Sequence, residues 1–306
     1  MVLQFLLSSP NWRRLWPKVP VSAHNIEGNA RRLGDALPPL VVKAERIAAT
    51  VMLGAHGLRR AGPGETFWAY RDYAFGDPTQ RIDWRKSAKA DETLIRENEW
   101  EVANTLWLWV DASPRMNFKS ALASETKTHH AQVLGLAMAA LALRAHERVG
   151  LLGSGNRASY GRHVLPKLAF DLAQGHGNEL PKPNRLQRRS TLLLVSDFLM
   201  EPEELQRALS SLAESGMRGH LLQVNDAAEE SLPYGGRVDF LGLDVKSRYR
   251  ASKVQTLRGD YAEAFIQHRQ KVKDMARRMG FTFNLHRTDK PLTQAVLALH
   301  QVMGPA

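Results

Sequence analysis

The stretch TLWLWVDASPR, Thr105 to Arg115, decides the fold. Its first six residues are apolar or β-favouring and unbroken, too short a run for an ordinary helix, so they read as a strand buried on both faces. The strand ends on Asp111-x-Ser113, an arrangement that can aim hard oxygen ligands at a divalent cation. STLLLVSD, Ser190 to Asp197, repeats the pattern: a second apolar strand closed by an aspartate.

Between and beyond these strands the periodicity alternates. Helical spacing covers His130–His146, Leu165–Gln174, Pro202–Ser215, Tyr261–Met279 and Leu292–Val302, and short apolar runs cover Arg148–Gly153, Gly219–Val224 and Phe281–His286. Such alternation implies βαβ crossovers, hence an α/β protein with a doubly wound, mostly parallel sheet of the Rossmann type. Ligands of these sheets bind beyond the carboxyl ends of the strands, so Asp111 and Asp197 are expected to meet at one rim.

Upstream, Leu40, Val41, Ala44, Ile47, Ala48, Val51 and Met52 recur at three- and four-residue spacing. They predict an amphipathic helix over Pro38–His56, with the prolines in its first turn and Gly54 or Gly57 at its end. Three regions follow from this reading: a basic N-terminal extension carrying one helix (1–60), a turn-rich polar-aromatic region (61–100) and the α/β domain (101–306).

The middle region contains GPGETFWAYRDYAFGDPTQRIDWRKSAK, Gly62 to Lys89. Arg71, Asp72, Asp77, Arg81, Asp83, Trp84 and Arg85 are its candidate partner-binding residues. The same residues can serve the loop itself, with Asp77 capping the Gly76–Pro78 turn, the arginines in ion pairs, and Trp84 as a core anchor instead of an interface hot spot. An Asp/Glu-x-Lys pair of the nuclease kind is not evident nearby. Ser154, Ser159 and Ser196 lack a nucleophile elbow, Gly153-x-Gly155 is too short for a dinucleotide fingerprint, and no P-loop is present. The adjacent His129 and His130 do not have the four-residue spacing of a helical metal pair.

The 306 residues, 43% hydrophobic and 24% charged, describe a globular chain with a sizeable core. Cysteine is absent, which excludes disulfides, thiolate metal sites and cysteine nucleophiles. No apolar run approaches the roughly 20 residues that span a bilayer, and at the N-terminus basic residues follow the apolar patch, the reverse of a signal peptide. A cytoplasmic location is expected. The net charge of +11, from 42 Lys and Arg against 31 Asp and Glu, is dispersed. Without a basic-aromatic motif it reads as a solvated surface, and nucleic acid is not the expected partner.

The Tyr70-Arg71-Asp72-Tyr73 run, GDPTQRIDWRKSAK and the Asp111-Ala-Ser113 strand end resemble the domain of unknown function 58 family, whose core is a von Willebrand factor A-like domain. Gly62–Gly64, Ser196-Asp197 and Val224–Gly235 extend the resemblance. It implies a non-enzymatic assembly or maturation factor that works with a MoxR-type AAA+ ATPase and other von Willebrand A-domain proteins. The alternatives are a basic nucleic-acid-binding protein and a metal-dependent hydrolase. The resemblance also implies an Asp-x-Ser-x-Ser metal loop, a Thr from a second loop and an Asp from a third. Asp111, Ser113 and Asp197 match, but Arg115 stands where the second Ser belongs, and no Thr lies between His129 and Ser190. A vestigial metal site is expected, with Arg115 paired to Asp111 or Asp197 and no cofactor; a weak Mg²⁺ site is the alternative.

Overall fold

The computed structural model describes residues 39–53, 67–74, 79, 82–89, 92–98, 104–175, 180–181, 190–241 and 248–303. Five parallel strands form its central sheet: β3 (Thr105–Val110), β4 (Arg148–Leu151), β5 (Thr191–Ser196), β6 (Arg218–Asn225) and β9 (Thr282–Arg287), in the order β4-β3-β5-β6-β9. The chain enters at β3, crosses to one neighbour, then returns past β3 and winds outward on the other side. Helices therefore cover both faces.

Period-two alternation sorts the strand residues between two cores. Leu106, Leu108, Val110, Leu193, Val195, Leu222 and Val224 face one layer, which holds helices α1 (39–53), α3 (Lys127–Arg144), α4 (Val164–Ala173) and α8 (Leu292–Met303). Trp107, Trp109, Leu192, Leu194 and Leu221 face the other, with α5 (Pro202–Glu214) and α7 (Arg258–Arg278). Leu40, Ala44, Ile47, Ala48 and Val51 of α1 belong to the same apolar cluster as the sheet. The helix of the N-terminal extension is thus a layer of the core.

Helix α3 is buried almost all round, which explains its Ala, Leu and Met composition. It begins at Lys127, three residues before the expected His130, because the Thr126 hydroxyl caps it by accepting from the His129 N–H at 3.1 Å. Gly150 and Gly219 permit aromatic rings to lie over neighbouring strands. A Cβ at either would fall 2.4 Å from the ring of Trp107 or Phe281 respectively.

Among the described residues, two antiparallel pairs stand outside the central sheet. β1 (Phe67–Asp72) pairs with β2 (Leu94–Asn98), and between them lies the one-turn helix α2 (Trp84–Ser87). The other pair, β7 (Val238–Leu241) with β8 (Arg248–Ala251), follows the short helix α6 (Ala227–Ser231) and packs its own small cluster around Leu232 and Val254. That hairpin is absent from the sequence reading, since four-residue strands are too short to establish a period. Among the described residues, no helix is long and apolar enough to cross a membrane.

Candidate functional site

Because β3 and β5 are adjacent and parallel, their carboxyl ends deliver Asp111 and Asp197 to the same rim. Both are buried, at 2% and 0% exposure. Asp111 accepts from the Ser113 N–H at 2.8 Å and from the Ser196 hydroxyl at 2.6 Å. The Ser196 hydroxyl in turn accepts from the Phe198 N–H at 2.9 Å. Asp197 accepts from the Leu199 N–H at 3.0 Å, while its backbone carbonyl accepts from the Gln223 amide on β6. Phe198, next to Asp197, holds φ at 52°, a conformation that costs a bulky residue energy and persists where its surroundings enforce it. Its ring is fully buried, and its carbonyl oxygen lies 2.8 Å from His268 Nε2.

Arg115 reaches both carboxylates at long range, with Nη2 3.5 Å from Asp111 Oδ2 and Nε 3.7 Å from Asp197 Oδ1. The close cation is Lys127, which the sequence reading did not single out. Its side chain is 1% exposed, and Nζ lies 2.9 Å from Asp197 Oδ2 and 2.6 Å from Glu229 Oε1. Burial lowers the pKa of the ammonium, but the Asp197 and Glu229 carboxylates outweigh it and hold Lys127 above the ordinary lysine value. Burial likewise raises Asp197, and the positive charge of Lys127 and Arg115 reverses it to a net depression. Glu229 stays raised by its burial, only partly offset by Lys127.

Glu229 is placed by a capping box. The Asp226 side chain accepts from the Ala228 N–H at 2.9 Å, and Glu229 Oε2 accepts from the Asp226 N–H at 2.9 Å. Asp226 also accepts from the Ser120 N–H at 3.0 Å, which ties α6 to the loop after β3. Two local signals marked these residues. Asp226-Ala-Ala-Glu229 has capping-box spacing, and Lys127 puts a cation in the first turn of a helix, where the macrodipole favours anions.

Magnesium needs hard oxygens about 2.0–2.1 Å away in near-octahedral array. Here oxygens of Asp197 and Glu229 surround an ammonium at hydrogen-bond distance, and those of Asp111 accept from Ser113 and Ser196. As arranged, the donor set does not fit a divalent ion, and no group of three or more His, Asp or Glu among the described residues is disposed to hold a metal.

Of the polar-aromatic block, Asp83 caps α2 by accepting from the Lys86 N–H at 3.0 Å. The Ser87 hydroxyl accepts from the Leu94 N–H at 2.8 Å, tying α2 to β2. Trp84 is 67% exposed, so it is not a core anchor, and Arg85 is exposed beside it. Asp72, at the end of β1, is exposed and raises the pKa of Glu92, chiefly through a side-chain hydrogen bond. Arg71 lies in β1, and its side chain is outside the described residues, as are Asp77 and Arg81 with the Gly76–Pro78 turn.

A sequence-family model described as "Protein of unknown function DUF58" matches residues 69–271. Uncharacterized proteins of Mycobacterium bovis and Mycobacterium tuberculosis are each 26% identical over 280 residues, covering 85% of this chain and 86% of the relative. The crystal structure of the conserved hypothetical protein BatB from Bacteroides thetaiotaomicron is similar over 67% of this chain and 100% of that one, with 10% identity and a TM-score of 0.36.

Proposed function

The chain belongs to the DUF58 family, and from that premise we propose that it is a non-enzymatic protein-interaction or assembly factor with a von Willebrand factor A-like core, working with a MoxR-type AAA+ ATPase. The observation that carries this reading is Trp84. A large aromatic side chain stands 67% exposed on a helical turn whose geometry is set by the Asp83 cap and the Ser87 tie to β2. An exposed Trp on an ordered turn, with Arg85 beside it, has the composition of an interface hot spot. The strand-end carboxylates support the non-enzymatic half, since Asp111 and Asp197 are buried and engaged within the fold.

The partner surface in this reading comprises the Arg71–Arg85 block and the rim around Asp111, Ser113 and Asp197, where the two aspartates are buried and Ser113 and Arg115 are partly exposed. Co-purification with the MoxR-type ATPase tests it. Asp83→Ala combined with Trp84→Ala is expected to abolish capture while circular dichroism and the unfolding midpoint of the α/β domain stay close to wild type. Capture at the wild-type level would count against the reading. Metal-dependent turnover that disappears in Asp111→Ala would favour the hydrolase alternative instead.

A further inference from the structure

We propose that Lys127 is the resident cation of the strand-end rim, its ammonium standing in for a divalent metal so that the site is complete without one. The inference deepens the interaction-module reading by making the rim metal-independent, and it rests on that reading only for what the rim is used for.

Three observations carry it. Among the described residues Lys127 is one of the largest fully buried side chains, and an unpaired ammonium at such depth is prohibitively costly, so its partners define its role. Those partners are carboxylates from two different strand ends: Asp197 follows β5, and Glu229 sits in α6 after β6. A single cation joining oxygens from separate loops at the carboxyl edge of a parallel sheet is the structural task a metal performs. Finally, the helix macrodipole opposes a cation at the start of α3, so local helix energetics do not account for Lys127, whereas the two carboxylates do. Arg115 is the lesser cation, since its side chain is 30% exposed and its contacts are 3.5 Å or longer.

Lysine and divalent occupancy are then mutually exclusive. Titration of the purified full chain with MgCl₂ and MnCl₂, with KCl at matched ionic strength as the control, tests this by calorimetry and thermal unfolding without any partner protein. Wild type is expected to show no saturable binding and no metal-specific change in Tm. Lys127→Ala, which leaves Asp197 and Glu229 facing the space vacated by the lysine side chain beyond Cβ, is expected to acquire saturable Mn²⁺ binding. Its Tm should rise by about 5–10 °C at a metal concentration roughly a hundred times Kd.

Saturable binding to wild type that is lost in Asp111→Ala overturns the proposal, as does a folded Lys127→Ala variant that ignores both metals. If Lys127→Ala is insoluble, the pair Lys127→Met with Glu229→Gln, which removes the ammonium together with one carboxylate, is the reference and is expected to be soluble and indifferent to metal. Recovery of Lys127→Ala by millimolar Mn²⁺ during refolding then supports the exchange. Failure to recover it, while the pair folds, overturns it. None of these readouts involves the ATPase, so they succeed or fail separately from the proposed partnership.

Discussion

A single side chain decides the electrostatics of the rim. Removing Lys127 strands two carboxylates in the interior, and breaking a buried pair of this kind costs about 3–5 kcal/mol. Lys127→Met should therefore lower the urea midpoint strongly, while Lys127→Met with Asp197→Asn should cost clearly less than the sum of the two single changes. The pH dependence has two limbs. Lys127 is raised in the folded state, so its contribution is complete below the ordinary lysine pKa and is lost as pH rises through the folded value. Asp197 is depressed, so its contribution is present above the ordinary aspartate pKa and is lost as pH falls through the folded value. A further acid effect comes from His130, His220 and His286, all buried and each lowered to about 4, chiefly by burial. His130 Nδ1 and His286 Nε2 are 2.9 Å apart, so one ring donates to the other only while the pair retains an unprotonated acceptor. Between the ordinary histidine pKa and about 4 the unfolded chain binds more protons. Stability should thus fall by roughly 1–2 kcal/mol per histidine from pH 7 to pH 5, which urea unfolding across that interval would measure.

At the scale of elements, the central sheet depends on two positions without side chains. Gly150 lies opposite Trp107 in the β3–β4 register, and Gly219 lies under Phe281. Gly219→Ala forces the Phe281 ring to move within the core, at an expected cost of about 1–3 kcal/mol, and Gly150→Ala should cost a similar amount through Trp107. Chemical denaturation of both variants would check this, and midpoints equal to wild type would contradict the packing described. The strands were legible because TLWLWV and TLLLVS are unbroken and buried on both faces. The helix starts were less so. The Ala, Leu and Met composition predicts α3 from His130, while the Thr126 cap starts it at Lys127. The β7–β8 hairpin depends on pairing at a distance, including Arg250 Nε to Asp239 Oδ1 at 2.8 Å, which no local pattern announces.

On the scale of the whole molecule, α1 joins the sheet and α8 in one apolar cluster, although the sequence reading assigned it to an extension. A chain lacking residues 1–56 should expose the faces that Leu40, Ala44, Ile47, Ala48 and Val51 cover. It is expected to have a markedly lower Tm and a tendency to aggregate, as calorimetry and light scattering would show. By itself the sequence determined the α/β class, the doubly wound sheet and the convergence of Asp111 and Asp197, because unbroken apolar runs alternating with helical periodicity imply a parallel sheet whose strand ends share one rim. Tertiary structure alone decided that Lys127 joins Asp197 to Glu229. Lys127 and Glu229 lie 102 residues apart in the chain and meet only after β5, β6 and α3 have packed. Charge pairing in the interior acts through space over a few ångströms, and sequence separation carries no record of it.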